Sequence, residues 1–178
     1  MDTRPLVAHI PSLRRYARAL TGDAWAADDL VQDTLERACS KWRLWLVGSD
    51  LRAWLFTLMH NLFANQMRSL ARSPAGQPTV DIDDAAETLD APGAGLDTAI
   101  DLQRCLLRLP QDQRAVLLLV CLEDLSYAEV ARITGTPIGT VMSRLSRARS
   151  RLRELMDNPA TPALPAQAAS PAVLRRMK

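Results

Sequence analysis

Asn61, Asn65, Arg68 and Arg72 recur at i, i+4, i+7 and i+11, so a helix would line them along one face. A row of amides and guanidinium groups suits hydrogen bonding to bases and phosphates rather than acid–base catalysis. Trp42, Trp45, Trp54, Phe56 and Phe63 lie near this row, a concentration of rings in a chain only 4% aromatic. Rings beside amides can stack unpaired bases, although Trp42 and Trp54 read better as core. A second polar row runs through Ser143, Ser146, Arg147 and Ser150, flanked by Arg144, Arg149, Arg151 and Arg153. Such a face suits a helix in a major groove, where arginine grips guanine or phosphate. A third row, Asp28, Asp29, Gln32, Asp33 and Glu36, gathers carboxylates opposite Val31 and Leu35. Taken alone, an acidic helix face is usually just solvated.

Catalysis fails on inventory. The chain has no Gly-rich phosphate loop, no metal-ligand cluster and no Ser/His/Asp arrangement. Its two histidines, His9 and His60, lie near no cysteine pair, so neither metal nor cofactor is expected. The odd number of cysteines, Cys39, Cys105 and Cys121, suits a reducing compartment with the thiols buried as small hydrophobes. With 48% apolar and 24% charged residues over 178 positions, the composition is that of a soluble globular protein. There is no uncharged apolar run of membrane-spanning length, and MDTRPLVAHIPSLRRYARAL lacks the apolar core of a signal peptide. The expected location is the cytoplasm, without membrane insertion.

Charge is unevenly distributed although the net value is only +2. Residues 73–103 hold seven acids and no Lys or Arg, between two mildly basic ends. The pattern predicts two modules on one tether.

Helical periodicity recurs along the chain, and few segments read as strands, which predicts an all-α fold. Ile10, Leu13, Ala17 and Leu20 form one stripe, with Pro11 at its start and Gly22 after its end. Asp23 can cap a helix carrying Val31, Leu35, Ala38 and Trp42, and Asp50 one burying Leu51, Leu55, Leu58 and Leu62. This first module spans 1–72. Residues 73–96, rich in Pro, Gly, Ala and Asp, read as a flexible acidic linker. A second module, 97–157, opens with Asp97 as a cap, and the proline-bearing tail 158–178 reads as disordered. Within the second module, Ser126 and Glu129 have the spacing of a capping box. The helix they start stops at Gly135, after which Thr136 can cap a second helix with Pro137 in its first position. Ala131, Gly135 and Val141 then supply the small residue, the turn and the shared core of a helix-turn-helix. Val141, Leu145, Ala148 and Leu152 face inward on its second helix.

A helix-turn-helix alone fits many DNA-binding proteins, and the first module narrows the choice. DDLVQDTLERA (28–38), LRAWLFTLMHNLFANQMRS (51–69) and the stretch 109–152 together resemble regions 2 and 4 of an extracytoplasmic-function (ECF) sigma factor of bacterial RNA polymerase. The resemblance implies a sigma region 2 bundle and a region 4 helix-turn-helix, core RNA polymerase and promoter DNA as partners, and an anti-sigma factor as regulator. It assigns Asp28, Asp29, Gln32, Asp33 and Glu36 to the polymerase clamp coiled coil and Asn61 to a flipped −10 base, with Asn65 one turn further; Arg68 and Arg72, on the same face, are expected to join them at the −10 element. It assigns Ser143, Ser146 and Arg147 to the −35 element, where Thr140, Met142, Arg144 and Arg151 on the same helix are expected to contact DNA as well. Met142 departs from the pattern, because many relatives carry Arg there and a methionine cannot donate to guanine. The acidic linker is implied to thread the polymerase's RNA exit path; a plain tether explains its composition as well. The alternative is a sigma-like decoy that titrates an anti-sigma factor without binding promoters. Asn61 and Arg147 weigh against it, since a decoy need not keep DNA-facing groups.

Overall fold

Short-range chemistry starts and stops most of the helices. The computed structural model describes residues 4–42, 50–72 and 95–158, with eight α-helices and no strand among them. The first half contains α1 (Arg4–Val7), α2 (Ile10–Thr21), α3 (Ala24–Ser40) and α4 (Leu51–Arg72). The second contains α5 (Gly95–Leu107), α6 (Gln111–Cys121), α7 (Tyr127–Thr134) and α8 (Ile138–Asp157). Pro11 lies in the first turn of α2, and Gly22 ends that helix at φ 77°, its N–H donating to the Arg18 carbonyl. The Asp23 carboxylate accepts the Ala26 N–H at 2.6 Å to start α3, and Asp50 accepts the Ala53 N–H at 3.1 Å to start α4. Both halves of the capping box form: the Glu129 N–H donates to Ser126 Oγ, and the Ser126 N–H to Glu129 Oε2 at 2.8 Å. Gly135, at φ 63°, turns the chain from α7 into α8.

Several expectations need correction. Helix α5 begins at Gly95, so Asp97 falls in its first turn rather than at its cap. Thr136 does not cap α8; its hydroxyl lies 2.8 Å from that of Thr134, and Pro137 takes the cap position with no side-chain bond. On α4 the buried row is Leu55, Phe56, Met59 and Phe63, while Leu51, Leu58 and Leu62 are half-buried. The row is rotated because α4 is covered from two sides, by α3 and by α7. Phe56 and Phe63 are therefore core and unavailable to stack a base. Trp42 and Trp54 pack partly into the same core, as expected. Of the cysteines only Cys105 is buried; Cys39 and Cys121 are exposed, because they sit beside the inward stripes rather than on them. The short α1 was not anticipated, and it brings Leu6 into the core. Trp45, residues 73–94 of the linker and the tail from 159 lie outside the described residues.

The two modules are packed together. Helix α2 lies against α5 and α6, and α4 against α7, so one apolar core runs from Leu13, Tyr16 and Phe56 to Val116, Leu119 and Ile133. A Cβ added to Gly22 would sit 2.5 Å from Leu107 Cδ1, whereas one added to Gly135 meets nothing within 4 Å. Both substitutions place alanine at positive φ, a cost of about 1–2 kcal/mol. Gly135→Ala should show that cost alone. Gly22→Ala should lower the thermal midpoint further, because Leu107 must also move out of the seam; paired melting curves check the difference.

Candidate nucleic-acid interface

At about 100° per residue, Asn61, Asn65, Arg68 and Arg72 fall within one narrow stripe of α4. All four are exposed, on the side opposite Phe56, Met59 and Phe63. Asn65 Oδ1 accepts Arg68 Nη2 at 2.7 Å, and Arg68 Nε donates to the Ala64 carbonyl at 3.1 Å. These bonds order the middle of the row and leave the Asn61 amide in solvent.

On α8 the buried row is Val141, Leu145, Ala148 and Leu155, with Leu152 half-buried. Met142, Ser146 and Arg147 are exposed on the other side, and Thr140, Ser143 and Arg151 are half-exposed. The Ser143 hydroxyl donates to the Thr140 carbonyl at 3.0 Å. Arg144 stands apart from the rest: its Nε lies 3.0 Å from Asp112 Oδ2 on α6. Arg149 likewise turns back, donating to Cys121 Sγ. No ion pair with a described residue holds Arg147 or Arg151.

The acidic row of α3 borders a groove between α2 and α3, floored by Ile10, Val31 and Leu35 and rimmed by Arg14, Asp28, Gln32 and Glu36. Asp28 pairs with Arg14 at 2.9 Å, and Gln32 donates to Glu36 at 3.0 Å. Asp33 lies on the other flank, where Gln66 of α4 approaches it at 3.5 Å. Desolvation, reinforced by the neighbouring Asp29 and Glu36 charges, holds the Asp33 carboxyl above its ordinary range. The five predicted residues thus share α3 but divide between two flanks.

The residues that the sequence did not single out lie where the halves meet. Glu123, in the loop after α6, is fully buried. Arg15 of α2 donates to its Oε1 from Nε at 3.1 Å and from Nη2 at 2.9 Å. Arg52 of α4 donates from Nη2 to Glu123 Oε2 at 2.8 Å and to its carbonyl at 2.6 Å. Nothing in the spacing around Glu123 marks it, because both its partners are distant in sequence. His60 of α4 is also covered; burial, and then the nearby Arg144 charge, hold its imidazole below the ordinary value.

The family model for the sigma-2 domain of PhyR matches residues 6–60, and the model for sigma-70 region 4 matches residues 99–152. The ECF RNA polymerase sigma factor EcfG of Rhodopseudomonas palustris is 41% identical over 157 residues, covering 85% of this chain and 82% of the relative. The chain belongs to the ECF sigma factor family. SigM of Mycobacterium tuberculosis, another ECF sigma factor, is 34% identical over 83% of this chain and 73% of its own. Among solved structures, the sigma factor RpoE of Bartonella quintana, crystallised with the anti-sigma factor NepR, superposes with a TM-score of 0.69. It is 36% identical, over 88% of this chain and 96% of that one. Sigma factors are non-enzymatic transcription initiation factors, in keeping with the absence of a catalytic constellation from the sequence. No helix among the described residues is long and apolar enough to cross a membrane, and no cluster of potential metal ligands occurs among them.

His60 gives this ECF sigma factor a predictable pH dependence. Its folded pKa lies below the ordinary 6.5, so on acidification the unfolded chain binds the proton first. Stability is therefore full above that value and falls as the pH drops through it. The melting midpoint should be lower at about pH 5.5 than at about pH 7.5, and His60→Gln should remove part of that difference.

Proposed function

We propose that this ECF sigma factor binds core RNA polymerase through α3 and its groove, engages the −10 element with the exposed row of α4 and reads the −35 element with α8. One observation carries the reading. A single chain presents two separate solvent-facing rows of nucleic-acid-type side chains, Asn61–Arg72 and Met142–Arg151, each backed by a buried row that fixes its direction. Within the second row Arg147 is the base reader and Arg151 the phosphate anchor. Met142 meets a thymine methyl or the sugar edge rather than guanine. Arg144 has to leave Asp112 before it can touch DNA. The groove between α2 and α3 offers an apolar floor with a charged rim, which suits an amphipathic helix of the polymerase clamp. On the other flank of α3, Asp33, partly desolvated and close to the Asp29 and Glu36 charges, favours a basic partner. An anti-sigma factor is the expected regulator, since the Bartonella relative was crystallised with one.

The match of residues 6–60 to the sigma-2 domain of PhyR is the observation behind a second reading, a decoy that binds an anti-sigma factor only, since PhyR of Bartonella quintana is an anti-anti-sigma factor crystallised with NepR. Anti-sigma binding is common to both readings and does not separate them. Run-off transcription with core polymerase on genomic DNA does. The sigma reading expects discrete start sites and little binding of duplex DNA without polymerase; a decoy yields no transcripts while still binding its anti-sigma factor.

Three substitutions then assign the surfaces. Arg147→Ala should flatten preference at one −35 base pair, a loss of about 1–3 kcal/mol of discrimination, whereas Arg151→Ala should weaken all sequences alike and lower the salt slope by about one unit. Competition binding of the holoenzyme to single-base variants at several salt concentrations distinguishes them, and equal, sequence-independent losses refute the assignment of Arg147. Asn61→Ala should leave polymerase binding intact and slow promoter opening, with only partial rescue on pre-melted DNA, as read by permanganate footprinting.

A further inference from the structure

We propose that Glu123, Arg15 and Arg52 form an intramolecular latch that keeps this sigma factor in a closed, promoter-incompetent conformation without any bound partner. The Glu123 side chain is 0% exposed, although it lies in the loop joining α6 to α7. A carboxylate withdrawn from water needs opposite charge and hydrogen bonds to offset its lost hydration. Here both come from the other half of the molecule, across 108 residues to Arg15 and 71 to Arg52. Four hydrogen bonds converge on this one residue, three on its carboxylate and one on its carbonyl. A fifth runs from Arg15 Nη2 to the carbonyl of Leu122. Separation of the halves would return Glu123 to water, so the carboxylate has two well-defined states and the seam has two positions.

The rest of the seam is built to come apart. Beside the shared apolar core it carries polar contacts: Gln103 of α5 donates to the Ala19 carbonyl at 3.3 Å. The buried Tyr16 hydroxyl and Arg114 Nε form no hydrogen bond within the described structure. A permanent core rarely leaves such groups unmatched, whereas an interface between parts that separate often does.

Closure matters because of length, and this step rests on the promoter reading proposed above. Elements centred near −10 and −35 are about 25 base pairs apart, which is roughly 85 Å along duplex DNA. A compact body of the described size has a radius of gyration on the order of 14 Å and is about 40 Å across. The closed form cannot place α4 on one element and α8 on the other. Opening must precede or accompany promoter engagement, and every partner of the open form binds more weakly by the fraction that is open.

The test uses the full-length chain and two variants that cut the latch from opposite sides, Glu123→Gln and the double substitution Arg15→Gln/Arg52→Gln. Small-angle scattering should find the wild type compact and both variants expanded. Core polymerase should bind both variants about tenfold more tightly than the wild type. The arginine variant keeps the experiment decisive if Glu123→Gln fails to fold, because Arg15 and Arg52 are 55% and 32% exposed in the other half. Compact scattering from a folded arginine variant overturns the latch, as does a wild type that is already expanded. The scattering arm contains neither polymerase nor DNA, so the two proposals can fail separately. Expanded variants with no polymerase binding by any form would retain the latch and sink the promoter reading. Normal transcription by a chain whose scattering ignores both variants would do the reverse.

Discussion

A carboxylate sealed from water sets how the two halves of this sigma factor meet. Removing Glu123 from solvent costs several kcal/mol, which only paired charges in good geometry offset. The local backbone prepares the site: Asp124 adopts φ 51°, and the Glu123 and Leu125 N–H groups turn back to the Leu118 and Leu119 carbonyls. That turn directs the carboxylate away from its own helix and towards α2 and α4. Arg52 meets it while lying 5.5 Å over the Phe56 ring, and Phe56 stands edge-on to Tyr16 at 5.3 Å. The ion pair and the aromatic core of the first half are therefore one structure. Closure also has a local cost, since Tyr16 has its hydroxyl pushed up chiefly by burial and finds no partner. An unsatisfied buried polar group costs about 1–3 kcal/mol, comparable to what one good hydrogen bond returns. The seam is held by opposed terms of similar size, the condition under which a modest partner can shift it.

What the sequence disclosed follows the range of the interactions. Caps at Asp23, Asp50 and Ser126 and turns at Gly22 and Gly135 act over three or four residues, so spacing alone reveals them. The exposed row on α8 was legible for a related reason, as the complement of the apolar row on the same helix, whereas on α4 the polar spacing alone marked it. Thr136 shows how narrow that legibility is: it has the right type one place too early, and the proline after it took the cap position. Where a helix has more than one neighbour the periodic reading fails. The second cover on α4 converted Phe56 from a candidate base-stacking ring into core, and no count along the helix could foresee α7 arriving there. Glu123 was hidden most completely, since the meaning of this loop acid lies wholly in residues from another module.

The diverted arginines of α8 show the same effect on function. Five arginines on that helix looked equivalent, yet Arg144 reaches Asp112 and Arg149 reaches Cys121. Arg147 is exposed and free of both ties. Sequence gives the density of positive charge, and tertiary structure decides which charges remain available for a polyanion.

Helix α2 joins these themes, because consecutive residues serve different surfaces. Arg14 pairs with Asp28 at the rim of the α3 groove, and Arg15 pairs with Glu123 in the seam. About 100° of helical rotation separates the two, so the groove and the latch use different sides of one rigid rod. Proximity does not by itself couple them. A ligand in the groove alters closure only by the difference between its affinities for the open and closed forms. A ligand that touches α2 and α3 alone sees both forms alike and shifts nothing. One that also contacts α4 or the second half gains or loses contacts as the seam opens, and its binding energy then appears in the position of α8. Coupling in this fold thus depends on how far a partner extends beyond the groove, with the Glu123 seam as the element whose two positions it must tell apart.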